Sequence, residues 1–157
     1  VNDLYASIDP HYRAYDSDIV LVTITENTLE QFAYRSPVDR LFLSELLVTL
    51  DKAKVKAVGI DILFDQKTEK YKDIALKNTI NEVDFPTVVA WANLSDNLTN
   101  AQTQYLNSYT KDMAKGHVKL GKDRRDGFIR WIDGNMNVFG KEINSFPYKL
   151  ASIFFLE

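Results

Sequence analysis

Two kinds of apolar pattern alternate along this chain, and the alternation restricts its fold more than any other feature. Ile19-Val20-Leu21-Val22-Thr23-Ile24, Lys56-Ala57-Val58-Gly59-Ile60-Asp61-Ile62-Leu63 and Thr87-Val88-Val89-Ala90-Trp91 are short β-branched runs, apolar on both alternate faces. That is the signature of parallel strands covered on both sides. Between the first two runs the period changes: Phe42, Leu43, Leu46, Leu47, Leu50 and Ala53 mark one helical face, with Ser44, Glu45, Thr49, Asp51 and Lys52 on the other. Ser36-Pro37-Val38-Asp39 reads as the start of that helix, with Ser36 as cap, proline in the first turn and an acid at the third helical position. A second helix is predicted over 68–81, carrying Tyr71, Ile74, Ala75 and Ile80, and Thr25 is placed to cap a short one carrying Leu29 and Phe32. Strand, helix, strand, helix, strand implies right-handed crossovers and a largely parallel sheet.

Beyond the polar, Asn-rich stretch 93–107, segments 117–120 and 128–132 read as strands. Asp133-Gly134-Asn135 then turns the chain into 136–139, and a last helix covers 145–156. The expectation is a single α/β domain, a mostly parallel central sheet flanked by helices with an added antiparallel C-terminal hairpin. At 157 residues and 45% hydrophobic, such a chain can bury a core without staples. The absence of cysteine excludes disulfides and thiolate zinc sites. A net charge of −3 argues against phosphate-backbone binding, so nucleic acid is not an expected partner. No stretch approaches the roughly 18 uninterrupted apolar residues of a membrane span. The start at Val1 and the apolar run 153–156 at the end set the expectation of a segment cut from a longer protein.

In open parallel sheets, ligands gather beyond the carboxyl ends of strands. Asp61 interrupts an apolar run there, so its carboxylate is expected to be paired, hydrogen-bonded or at the strand end. Glu26 stands at a predicted helix start, where it favours the dipole. In the stretch 122–127, Arg124 and Arg125 alternate with acids as in a solvated turn. Arg130 differs, lying between Ile129 and Trp131 inside a strand, where a guanidinium can hold a carboxylate or an anion in bidentate fashion. Trp91, Tyr105 and Tyr109 read as core, and His11 and His117 as surface or strand residues. No phosphate loop, nucleophile elbow or metal spacing is present, so no cofactor, no metal and no catalysis are expected.

Several segments together resemble the type-two CHASE family, extracellular sensory domains attached to bacterial histidine kinases, nucleotide cyclases and related signalling proteins. The resemblance runs from Asp18 to about Ala151. It is carried by strand 19–24 with Glu26-Asn27-Thr28-Leu29, by Arg35-Ser36-Pro37-Val38-Asp39-Arg40 with its leucine-rich helix, and by the run from Lys56 through Phe64. Gly116-His117-Val118, Asp126-Gly127-Phe128-Ile129-Arg130 and Ser145-Phe146 complete it. Thr25 stands where the family usually has Asp, and Val38 where it commonly has Trp. Arg40, Asp61, Asp126 and Arg130 fall on the family's recurrent polar positions.

The resemblance implies a periplasmic or extracellular module, tethered by membrane helices on both sides to a cytoplasmic output domain, and because sensor outputs commonly act in pairs a homodimer is expected in the intact receptor. Its signal would be a small molecule or a protein. Both ends of the domain are then expected on one membrane-facing side. The candidate ligand-binding set is Glu26, Arg40, Asp61, Asp126 and Arg130, with Asp61 expected to hold the guanidinium of Arg40, Arg130 or both at the carboxyl edge.

A receiver domain is the alternative suggested by Gly59-Ile60-Asp61-Ile62-Leu63, which looks like a phospho-acceptor strand. Thr23-Ile24-Thr25-Glu26 supplies one acid where receivers need two for a divalent cation. A hydrolase using Asp61 and Glu26 lacks a nucleophile and an oxyanion feature. A structural or dimerisation module without a ligand is the remaining reading.

Overall fold

A computed structural model describes residues 19–120, 134–138 and 141–155. The expected strand 128–132 and the charged stretch 122–127 lie outside these residues. In chain order the elements are α1 (Glu26–Leu29), α2 (Arg40–Lys52), β1 (Val58–Ile60), α3 (Lys70–Glu82), β2 (Thr87–Trp91), a 3-10 turn (Leu94–Asp96), α4 (Asn100–Tyr109), β3 (Ala114–His117), β4 (Asn135–Val138), β5 (Lys141–Asn144) and α5 (Phe146–Phe155). The sheet has the order β1-β2-β3 with both pairings parallel, and β4 and β5 form an antiparallel hairpin that follows the predicted turn 133–135, with Lys141–Asn144 as its second strand where none was expected. All five residues of β2 are buried, as its unbroken β-branched run requires of a central strand.

Alternation along β2 divides the interior in two. Val89 and Trp91 join Leu43 and Leu47 of α2, Leu76 of α3, and Leu106 and Tyr109 of α4 in one cluster with Ile60, Phe64 and Phe85. Val88 and Ala90 pair in register with Gly59 and Gly116, and those glycines lie against α5. A Cβ at Gly116 would stand 2.6 Å from the backbone nitrogen of Phe146, and one at Gly59 would stand 2.8 Å from a methyl of Leu150. Small residues on this face let α5 approach the sheet backbone itself.

The structure departs from the sequence expectations at several points. Residues 19–24 form no strand, and β3 supplies the third strand instead, starting three residues ahead of the predicted 117–120. Hydropathy identifies a segment that wants two-sided cover but does not say which edge provides it. β3 escapes the pattern because it is buried by close approach of a helix to Gly116, which needs absence of side chain rather than apolar bulk. The Asn-rich stretch contains a helix, α4, begun by a capping box in which Gln102 N donates to Thr99 Oγ1 at 3.3 Å and Thr99 N to Gln102 Oε1 at 3.0 Å. Only Leu106 and Tyr109 of α4 are buried, too few to raise the helical period above its polar background.

The cap of α2 is Asp39, not Ser36: its Oδ1 accepts from Leu41 N at 2.8 Å and Phe42 N at 3.2 Å. In α3 the buried side chain is Leu76, while Tyr71 and Ile74 face water. Lys72 and Asp73 on this helix are held by Asp39, Arg40 and Tyr105.

Candidate functional site

Arg40 is the first residue of α2 and is completely buried. The Asp39 cap fixes where α2 begins, and the next side chain thereby turns toward the residues that follow β1. Because α2 feeds β1, its start lies at the carboxyl edge of the sheet, the edge where α/β folds place their sites. The Arg40 guanidinium carbon stands 4.3 Å over the Phe64 ring and 5.5 Å from that of Tyr109. Its Nη2 donates to the Gln66 carbonyl at 3.1 Å, and Nε lies 3.5 Å from Asp73 Oδ1. Nη1 has no hydrogen-bond partner among the described residues.

Asp73, in the first turn of α3, is held from several sides. Thr68 Oγ1 donates to Oδ1 at 2.7 Å, Thr68 N to Oδ2 at 3.2 Å and the Tyr105 hydroxyl to Oδ2 at 2.9 Å. Tyr109 donates to the Asp73 carbonyl at 3.0 Å and stacks on Tyr105. The neighbouring Lys72 makes the opposite crossing: its Nζ lies 2.7 Å from Asp39 Oδ2 and 2.9 Å from Glu69 Oε1. Tyr34 closes the group by donating to Glu69 Oε2 at 2.7 Å. The dipeptide Asp39-Arg40 thus meets Lys72-Asp73 with charges reversed, joining the starts of α2 and α3 to the loop after β1 and to α4.

Electrostatics follow from this wiring. The Tyr34 and Lys72 hydrogen bonds hold the Glu69 carboxyl down to about 2 from an ordinary 4.5. Burial disfavours the Asp39 carboxylate, but Lys72 and the N–H groups of Phe42 and Leu41 outweigh it and lower its pKa. Asp39 and then Glu69 push Lys72 up. Burial raises Tyr105 and Tyr109, with the Asp73 hydrogen bond adding to the rise at Tyr105 and Arg40 opposing it at Tyr109.

A depressed carboxyl contributes stability above its unfolded pKa and loses it as pH falls through the folded value. Melting temperature should therefore fall steadily from about pH 4.5 toward pH 2, the window bounded by the ordinary and depressed values of Glu69. Lys72→Met releases both carboxyls toward ordinary behaviour and should flatten that slope. An unchanged slope in the variant would mean that the Lys72 contacts do not set it.

The structure places Glu26 and Asp61 apart from this cluster. Glu26 is exposed in the first turn of α1, 2.7 Å from Arg35 Nη1, and the same arginine reaches Glu30 at 3.1 Å. Asp61 is exposed, and the expected Asp61–Arg40 pair does not form, because the carboxylate beside Arg40 is that of Asp73. Residues 19–24 do not pair with β1, so among the described residues that strand has a neighbour on one side only, and Asp61 is exposed. Asp61→Ala should accordingly change unfolding free energy by less than about 0.5 kcal/mol, measured by urea titration; a loss of several times that would require a buried partner. Asp126 and Arg130 lie outside the described residues. His117 is buried at the end of β3.

Sequence reasoning missed Tyr34, Glu69, Lys72, Asp73 and Tyr105 as members of a network. The reversed dipeptides Asp39-Arg40 and Lys72-Asp73 were the available signal. Among the described residues, no group of three His, Asp or Glu side chains could hold a metal ion, and no helix is long and apolar enough to cross a membrane.

The profile of the CHASE2 domain family matches residues 1–155. No curated protein and no solved structure matches the chain. The chain belongs to the CHASE2 domain family, a family of extracellular sensory domains found in signalling proteins.

Proposed function

We propose that this CHASE2 domain is the periplasmic, non-catalytic sensory part of a bacterial transmembrane receptor, with membrane helices on both sides and a cytoplasmic kinase or cyclase as output. The observation that carries this reading is the family match, which spans residues 1–155. The fold supplies a mechanical route for a signal. α5 is seated on the sheet through Gly59 and Gly116, with the Gly116 contact made to backbone. Backbone contacts leave little room for sliding, so α5 moves with the sheet as one body. The knot around Arg40 joins the opposite helical layer to the same sheet. A ligand acting at the carboxyl edge would thereby displace the last helix and whatever follows it.

Topology in the cell tests this placement. The chain has no cysteine, so Gln104→Cys, on an exposed position of α4, gives one thiol in this domain of a receptor cleared of other cysteines. A maleimide that cannot cross the inner membrane should label it in intact, outer-membrane-permeabilised cells. Labelling only after lysis would place the domain in the cytoplasm and remove the proposal.

A further inference from the structure

We propose that residues 19–23 are an exchanged arm, adding as a parallel strand to the outer edge of β1 in a second copy of this chain, whose own arm adds to the first. This goes beyond the sensory reading and does not rest on it. Ile19, Val20, Leu21 and Val22 are 74%, 81%, 85% and 52% exposed. A single exposed apolar side chain needs no explanation, but four in succession, apolar on both alternate sides, form a surface that water disfavours. Exposure falls only toward Ile24, which packs against the core, and Thr25, whose carbonyl accepts from Thr28 N and Leu29 N at 3.0 Å. Among the described residues the segment is held at Ile24 and Thr25 while 19–22 stand exposed, which is how an exchanged arm is placed.

β1 is the acceptor. Among the described residues it has a neighbour on one side only, β2. Val58 N donates to the Pro86 carbonyl at 3.0 Å, so Val58 and Ile60 direct their backbone groups to β2. Alternation then turns those of Gly59 and Asp61 to the open edge, and both residues are exposed. The edge is flanked by α5 on one face and by the Leu43–Leu47 side of α2 on the other. It therefore supplies the two-sided cover that the arm's pattern demands. One chain carries both the exposed apolar segment and an edge that no described residue pairs, so two copies satisfy both with two-fold symmetry, and the reciprocal exchange closes at a dimer. The Asp61 carboxylate beside the edge discourages indiscriminate strand addition.

Analytical ultracentrifugation of the 157-residue chain over a concentration series, combined with amide hydrogen exchange, tests the proposal. The expected result is a concentration-dependent dimer in which the amides of 19–23, Gly59 and Asp61 gain protection as the dimer forms. The Val20→Pro, Leu21→Pro double variant removes a ladder donor in either register and should stay monomeric throughout that series. Its monomer should keep the wild-type melting temperature, because both side chains are exposed. A wild-type chain that is monomeric at every concentration would overturn the proposal. So would a dimer that survives in the double variant, or protection of 19–23 in the monomer, which would put the arm on its own β1.

Discussion

Gly116→Ala should lower the melting temperature of this domain more than any other change of a single methyl group. The new Cβ would meet the backbone of Phe146 and, at 2.9 Å, the carbonyl carbon of Ser145. A flexible side chain could swing aside, but these atoms belong to the start of α5, which is fixed by the bridge from His117 to Ser145 and by Ser145 N donating to the Gly134 carbonyl at 2.7 Å. Relief therefore requires α5 to lift from the sheet. Overpacking of this kind costs about 1–3 kcal/mol and sometimes more, or roughly 2–4 °C per kcal/mol for a chain of this size. Gly134→Ala is the control, since no atom lies within 4 Å of a Cβ there. Thermal melts followed by circular dichroism distinguish the two. Equal melting temperatures for wild type and Gly116→Ala would mean that α5 does not touch β3 backbone to backbone.

The second large effect concerns the buried ion pair. Asp73→Ala leaves Arg40 with no carboxylate in a site that water does not reach, and it also strips Thr68 and Tyr105 of their acceptor. Removing one partner of a buried pair costs about 3–5 kcal/mol, chiefly because the remaining charge stays uncompensated. Arg40→Met should cost less. It fills similar volume beside Phe64 and Tyr109, and the Asp73 side chain it leaves behind is 14% exposed and still accepts from Thr68 and Tyr105. In the double variant Arg40→Met, Asp73→Ala, part of the Asp73→Ala loss should be recovered, which urea unfolding of the four proteins in a double-mutant cycle would show as a favourable coupling of the two changes. Strictly additive losses would mean that the 3.5 Å approach of Nε to Oδ1 carries no interaction of consequence.

Both predictions rest on features of different legibility. Helix α2 and β2 could be read from the chain because each states its environment locally. Leu43 and Leu47 recur on one helical face, and Val88, Val89 and Ala90 have no polar side. The α/β class and the family relation follow from such segments and their order. Arg40 and Asp61 could likewise be named as polar groups in unusual places, but their partners could not. Lys72-Asp73 lies 33 residues beyond Asp39-Arg40, and nothing periodic links the two dipeptides. Only the packing of α2 on α3 brings reversed charges together.

The sequence by itself determined which segments want burial and with what period, because hydropathy and capping act between near neighbours. Tertiary structure alone decided that Ala114–His117 rather than 19–24 completes the sheet, that Gly116 serves as a seat for α5, and that Arg40 answers to Asp73 instead of Asp61. Those outcomes depend on distances between elements far apart in the chain, and a charge or a glycine acquires its role only when another backbone arrives beside it.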